Sequence, residues 1–181
     1  MVQRGELIRK ISFPKYIVVV STTFTALINL AINLVVVMIF ALINGVTPSL
    51  SWLLVPVLVL ELYCLALGIS FLFGAINVKF RDIASIWDVL IQALFYAVPI
   101  IYPITMVAQT SELAAKILLL NPVAQIIQDV RYNLITTEAI TTWNYLTNPV
   151  AMAVPVVITI VILTWGGWYF RKKSKFFAEE V

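Results

Sequence analysis

Three acidic residues, Glu61, Asp82 and Asp88, lie inside or beside long apolar runs. Paired carboxylates within a membrane could carry out acid–base chemistry, as in proteolysis. The spacing argues against this, because Asp82 and Asp88 lie at the same end of one run and Glu61 stands alone in another. The chain has no histidine and only one cysteine, Cys64, so histidine-based catalysis, most zinc sites and an internal disulfide are excluded. We therefore expect no enzyme and no metal site.

The sequence contains none of the short motifs that bind nucleotides or build common catalytic centres. It has no G-x-x-x-x-G-K-[ST], and it lacks H-E-x-x-H, C-x-x-C and G-x-S-x-G. We expect no cofactor bound to this chain. The remaining interpretations are a conduit or a scaffold.

Aromatic side chains cluster along one apolar run that could form part of a conduit. Trp87, Phe95, Tyr96 and Tyr102 could offer apolar faces to sugar rings, and Gln92 could supply a hydrogen bond. Trp87, Gln92, Tyr96 and Tyr102 are therefore the candidate translocation-path residues. The alternative is that these aromatic residues pack between helices or anchor the chain at the membrane interface.

The composition is that of a membrane protein. The 181 residues are 62% hydrophobic and 12% charged, with a mean hydropathy of +1.01. A soluble domain carries about 25% charged residues. The net charge of +3 is not a sign of nucleic-acid binding, because the basic residues flank apolar runs, as they do in membrane proteins.

Four apolar runs are long enough to cross a bilayer as helices. They are 16–43, 50–78, 83–107 and 149–170. The first is too long for the core of a cleavable signal peptide. We expect a single all-α polytopic membrane domain with four transmembrane helices.

Residues 108–148 form the longest segment between spans, yet they are partly apolar. Stretches 112–120 and 123–135 are predicted to be two short helices separated at Asn121–Pro122. The third span also ends in prolines, Pro99 and Pro103, which predicts a disrupted far end. Re-entrant helices, interfacial helices and a small external cap all fit this pattern.

Three intramembrane polar residues need partners within the protein. Asn29 and Asn33 lie four apart on one face of the first span, and Glu61 lies near the centre of the second. The depth of Asn33 suggests that it pairs with Glu61. Gly68 and Gly74 would permit close approach of a neighbouring helix.

The distribution of lysine and arginine predicts the orientation. Segment 1–15 holds four, loop 79–82 two and tail 171–181 four, whereas Lys116 and Arg131 are the two on the opposite side. Cytoplasmic loops carry the excess of basic residues. Both termini and loop 79–82 are therefore predicted to be cytoplasmic.

The N-terminal segment 1–15 is basic and amphipathic. It is either a positive flank that orients the first span or a short helix that docks on the membrane surface or a partner. The residues that would carry docking are Glu6, Arg9, Lys10, Phe13 and Pro14.

Six stretches resemble, in matching order, the C-terminal portion of ABC-2 type permeases. The most similar members export polysaccharides, namely O-antigen, capsule and teichoic acid precursors. The stretches are LIRKISFPK at 7–15, FRDI at 80–83, VPIIYP at 98–103, LNP at 120–122, QDVRYNLI at 128–135 and FRKKSKFFAEEV at 170–181.

The resemblance implies a six-span permease fold in the bacterial cytoplasmic membrane, of which this chain holds the last four spans and lacks the first two. It implies a permease homodimer with a separate cytoplasmic ABC ATPase that binds ATP. The segment with Arg9 and Lys10 would couple to that ATPase, and 108–148 would re-enter from the outer side. Phe80, Arg81 and Asp82 are the cytoplasmic loop motif.

The function that the resemblance implies is export of a polysaccharide or a lipid-linked glycan precursor, in contact with membrane lipid. Two alternatives stay open at the level of sequence. One is an ABC-2 permease for a drug or lipid, and the other is a four-span scaffold or assembly protein without transport.

Overall fold

The computed structural model describes residues 16–80 and 82–174, and these residues are helical with short connections. The α-helices are α1 Tyr16–Ile43, α2 Val55–Lys79, α3 Ile83–Ala97, α4 Ile104–Thr110, α5 Glu112–Leu119, α6 Pro122–Leu134, α7 Thr142–Tyr145 and α8 Pro149–Lys173. A 3-10 turn at Leu50–Leu54 leads into α2. The predicted all-α architecture is confirmed.

Three helices of the described chain, α1, α2 and α8, are long and apolar enough to cross a membrane. They contain 28, 25 and 25 residues, so each reaches at least roughly 37 Å against a hydrocarbon core of ~30 Å. Asn148 begins α8 by accepting a hydrogen bond from the Val150 amide at 3.0 Å. Asparagine at this position satisfies an amide that the helix leaves unpaired.

The third predicted span, 83–107, is not one helix. α3 has only 15 residues and ends at Ala97, which gives roughly 22 Å and is too short to span by itself. Val98 is extended, with φ −88° and ψ 138°, because the residue before a proline is pushed out of the helical region. Helix resumes at Ile104 after Pro103. The prolines thus cause the predicted disruption, but nearer the middle of the segment than expected.

The most extensive helix pair is α2 against α8, and it is built on glycine. A Cβ on Gly68 would lie 2.7 Å from the Leu163 Cα, and Gly166 faces the Gly68 carbonyl. Small residues let two membrane helices approach closely enough for backbone contact. Gly74 differs, since a Cβ there would meet Phe170 and Val19 at an ordinary 3.8 Å.

A buried cluster holds α1 against this pair near the Phe80 end of α2. It consists of Val19, Ala75, Val78 and Phe170. Along the rest of α1 most of the large apolar side chains are exposed. A long apolar helix exposed in this way is suited to contact with lipid or with further membrane helices.

Helices α5 and α6 are bent by 95° relative to each other at a short break. Their bounds lie within one residue of the predicted 112–120 and 123–135. Asn121 makes the break, because its side chain accepts from the Val123 amide at 2.9 Å and Pro122 starts the next helix. The bent pair fits either a broken span or a re-entrant loop, and its position relative to the membrane stays a prediction.

Candidate functional site

Helix α6 carries an unusual amount of buried polarity for an apolar protein. Gln125, Gln128 and Asp129 are 5%, 2% and 4% exposed. Their spacing places them on one face of the helix, which packs against α2. Buried polar groups need hydrogen-bond partners, so the partners of this face show what α6 holds in place.

One set of partners is the backbone of segment 98–103, which follows α3 and is not helical. The Arg131 guanidinium donates to the Pro99 carbonyl at 3.2 Å and to the Ile100 carbonyl, and the Gln128 amide reaches the Pro99 carbonyl at 3.5 Å. Val98 and Pro99 are buried beneath this contact. A helix would satisfy those carbonyls internally, but the prolines prevent it. Arg131 therefore clamps the 98–103 segment to α6 through charge-assisted hydrogen bonds.

A second set of partners joins α6 to Glu61, in the second turn of α2. The Gln125 Nε2 donates to the Asp129 Oδ2 at 2.5 Å, and the Glu61 side chain lies beside both residues. Three acceptor oxygens here are buried with no hydrogen-bond partner among the described residues: Glu61 Oε1, Gln125 Oε1 and Asp129 Oδ1. The cluster of Glu61, Gln125 and Asp129 thus has two carboxyl groups and one side-chain amide as donor. It is short of hydrogen-bond donors.

The structure does not form the suggested pair between Asn33 and Glu61. The Asn33 amide donates to the Asn29 carbonyl of its own helix at 2.8 Å, and both asparagines are exposed on α1. The polar neighbours of Glu61 are on α6 instead. The reason is long-range, because the bend after α5 returns α6 to the depth of Glu61 on α2.

The shortage of donors predicts that Glu61→Gln stabilises the protein. The new amide would supply two donors to the unpaired oxygens and remove one of two neighbouring carboxyl groups, and we expect the free energy of unfolding in detergent to rise by about 1 kcal/mol. Denaturant unfolding of the purified chain measures the change. The control is Glu112→Gln, since Glu112 is exposed and pairs with Lys116 at 2.6 Å on the surface; we expect no measurable change there. A loss of stability in Glu61→Gln would contradict the donor shortage.

The candidate path residues are dispersed along and beyond α3. Trp87 packs on Phe73 of α2 with ring centroids 4.4 Å apart, and Gln92 is exposed. Tyr96 is also exposed, whereas the Tyr102 hydroxyl donates back to the Ala97 carbonyl at 3.2 Å. Their role in a path stays a prediction.

Of the other predicted site residues, some lie within the described residues and some lie outside them. Phe80 and Asp82 are exposed between α2 and α3, and the Asp82 carbonyl accepts from the Ser85 and Ile86 amides of α3. Arg81 lies outside the described residues. So do all five candidate coupling residues: Glu6, Arg9, Lys10, Phe13 and Pro14.

We call the contacts of Gln128 and Arg131 with the carbonyls of Pro99 and Ile100 the clamp. Sequence reasoning missed Gln128 and Arg131 as site residues. The sequence analysis names Arg131 in the charge count and within a family-like stretch, but neither Arg131 nor Gln128 as a site residue. The available signal was the spacing of Gln125, Gln128 and Asp129, three and four residues apart in an otherwise apolar segment. That face predicts a polar contact without saying which backbone it meets.

A comparison with protein families decides what kind of membrane protein this is. Residues 1–135, which include α2, α6 and the whole clamp, match the model of the ABC-2 type transporter family. The chain belongs to the ABC-2 type transporter family. It is accordingly a multi-pass membrane protein of a transport family, and the prediction made from its motifs is confirmed.

Curated relatives of this ABC-2 family member are permeases of one export system. It is 26% identical over 178 residues to the O-antigen export system permease protein RfbA of Myxococcus xanthus, a match covering 98% of this chain and 65% of that protein. An RfbA of Klebsiella pneumoniae is 28% identical over 127 residues, covering 70% of this chain and 48% of that protein. The chain thus spans about half to two thirds of the length of these relatives.

Proposed function

We propose that this chain provides transmembrane helices of the permease of an ABC exporter, which moves a polysaccharide or a lipid-linked glycan precursor out across the bacterial cytoplasmic membrane. The observation that carries the proposal is the match over 98% of the chain to a protein named as an O-antigen export permease. The long apolar helices and the absence of a P-loop pattern in the sequence agree with a membrane subunit that depends on another protein for ATP.

The orientation in this proposal has both termini in the cytoplasm. Basic residues in the last turn of α8, Arg171 to Lys173, support it. The Lys172 amine lies 5.1 Å from the centre of the Trp168 ring, which suits a cation and an aromatic anchor at the membrane interface. The Phe80–Asp82 connection then faces inward, and the bent pair of α5 and α6 lies at the outer side.

The energy would come from a separate cytoplasmic ATPase. In this proposal the basic segment with Arg9 and Lys10 docks on that subunit, and two permeases form the path between them. The exposed apolar surface of α1 offers area for a second permease or for lipid. The chain itself makes and breaks no covalent bond.

The clamp suggests how movement would pass through the permease. The backbone after α3 is tied by Arg131 to α6, and α6 packs on both α2 and α8. A displacement of α3 would therefore carry the bent pair with it. Trp87, Gln92, Tyr96 and Tyr102 would then line the path on α3 and beyond its end.

Deletion and complementation in the host test this function. We expect deletion of the gene to remove polysaccharide from the cell surface while lipid-linked glycan accumulates inside, because assembly continues and export stops. A plasmid carrying the gene should restore surface polysaccharide. Surface immunoblotting and extraction of lipid-linked glycan measure the two pools.

A further inference from the structure

A cavity opens beside the Leu54 end of α2, opposite the end that leads to Phe80. Its volume is about 410 Å³, which is within the range for small-molecule sites. Its apolar floor is formed by Leu54, Val57 and Leu58. The rest of its lining is polar or aromatic: Asp129, Tyr132, Asn133, Thr141, Trp143 and Asn144.

The lining has the chemistry that recognises a sugar ring. A pyranose presents an apolar face of C–H groups and a rim of hydroxyl groups that both donate and accept hydrogen bonds. Trp143, 64% exposed, and Tyr132 provide aromatic surface for the C–H face. Asn133 and Asn144 each carry donors and acceptors for the hydroxyl rim. The Asp129 carboxyl is buried and accepts from Gln125 instead.

Local hydrogen bonds hold the chain on both sides of the cavity in place. The Thr141 hydroxyl oxygen accepts from the Asn144 amide at 3.2 Å and so caps the short helix that carries Trp143. Thr141 and Thr142 are buried beside it. On the opposite wall, the Asn133 side-chain amide donates to the Asp129 carbonyl at 2.7 Å. The backbone that carries Trp143 and the Asn133 side chain are thus positioned before any ligand arrives, which lowers the entropic cost of binding.

The charged groups of the lining indicate which class of ligand the cavity can bind. Among the residues that the structure describes, the lining includes no lysine or arginine, and the one carboxyl group in it, that of Asp129, is buried. A carboxylate or phosphate on the ligand would lose its hydration there with no cation to compensate the charge. The cavity therefore suits a neutral sugar.

We propose that this cavity is a binding subsite for a neutral sugar residue of a glycan, with Trp143 stacking on the ring. The proposal rests on the proposed export function for its biological role, because in that orientation the cavity lies at the outer end of α2, where an emerging glycan would pass. Binding itself rests on the cavity alone.

The test is binding of small methyl glycosides to the whole 181-residue chain in lipid nanodiscs. The probes are methyl glucoside, methyl mannoside and methyl rhamnoside, with methyl glucuronide as the charged counterpart. We expect saturation-transfer NMR to give saturable binding of at least one neutral glycoside with a Kd of ~1–10 mM, and binding of the glucuronide at least ~5-fold weaker.

Three variants identify the site. We expect Trp143→Ala to weaken neutral-sugar binding by ~10-fold or more and Trp143→Phe to keep it within ~3-fold, because phenylalanine retains an aromatic face. Trp165→Ala is the matched control, since Trp165 is similarly exposed at 58% but lies on α8 away from the cavity. Its binding should equal that of the wild type. Thermal unfolding shows whether each variant is folded.

Three binding results would overturn the inference. It is overturned if no neutral glycoside binds saturably, if Trp143→Ala binds like the wild type, or if the glucuronide binds as tightly as the neutral sugars. A Trp143→Ala chain that loses only its affinity for lipid would identify Trp143 as a membrane anchor instead. Sugar binding by a chain whose deletion leaves export intact would overturn the proposed function and spare the subsite, whereas export without any sugar binding would do the reverse.

Discussion

Replacing Gly68 by alanine is expected to lower the free energy of unfolding by about 1–3 kcal/mol, the usual cost of overpacking a well-packed interface. The added methyl group would lie 2.7 Å from backbone atoms of Leu163, and backbone cannot rotate away as a flexible side chain can. The two helices must separate, which weakens the most extensive contact in the described chain. Denaturant unfolding in mixed micelles measures the loss.

The neighbouring glycines of α8 provide a matched pair of controls. Gly166 faces the Gly68 carbonyl, so Gly166→Ala should destabilise to a similar extent. No packed neighbour in the described part of the chain lies within 4 Å of the place that a Cβ on Gly167 would take, and alanine there should stabilise by roughly 0.5–1 kcal/mol, because glycine is a poor helix former. Equal effects of Gly166→Ala and Gly167→Ala would show that helix propensity decides the outcome and that close approach of α2 and α8 does not.

Replacing Arg131 by methionine is expected to release the backbone after α3. Its guanidinium donates to the Pro99 and Ile100 carbonyls, and each hydrogen bond to a charged group contributes about 1.5–3 kcal/mol. We expect a loss of about 3 kcal/mol or more in stability and faster amide exchange in segment 98–103. Export, as proposed for this chain, should fall with it, since, of the clamp's contacts, only the 3.5 Å contact of Gln128 would still tie Pro99 to α6. Hydrogen-exchange mass spectrometry and surface immunoblotting measure the two effects.

Two variants separate the clamp from the loss of a charge. Arg131→Lys keeps the charge but offers a single donor group in place of the guanidinium, which reaches two carbonyls. The amide exchange rate of segment 98–103 in Arg131→Lys should therefore lie between the rates in the wild type and in Arg131→Met. Lys116→Met removes a cation that pairs with exposed Glu112 on α5 and should leave segment 98–103 protected. Unchanged exchange in Arg131→Met would mean that the prolines alone hold this segment.

The long helices were predictable because a single property, apolar length, determines them. α1 occupies the same residues as the predicted run 16–43. α8 begins at the predicted Pro149 and ends at Lys173, three residues after the end of the predicted run 149–170. The break at Asn121–Pro122 was equally local, since a proline after a capping asparagine starts a new helix. Local rules of this kind need no knowledge of neighbours in space.

The polar contacts were not predictable, because they depend on how the bent pair folds back. Nothing in the sequence near Glu61 indicates that Gln125, more than sixty residues later, lies beside it, and equal depth favoured Asn33 instead. The same holds for Arg131, whose partners are thirty-one and thirty-two residues earlier in the chain. The prolines at 99 and 103 predicted a disrupted helix end, but the bend of 95° decides which side chains bond to the backbone there.

The most direct test of the proposed export function is the location of glycan in cells that lack this gene. The prediction is that surface polysaccharide disappears, that lipid-linked glycan accumulates on the cytoplasmic side, and that a plasmid-borne gene restores the surface pool while its Arg131→Met form does not. Unchanged surface polysaccharide in the deletion strain, or its loss without any internal accumulation, would contradict a role in glycan export.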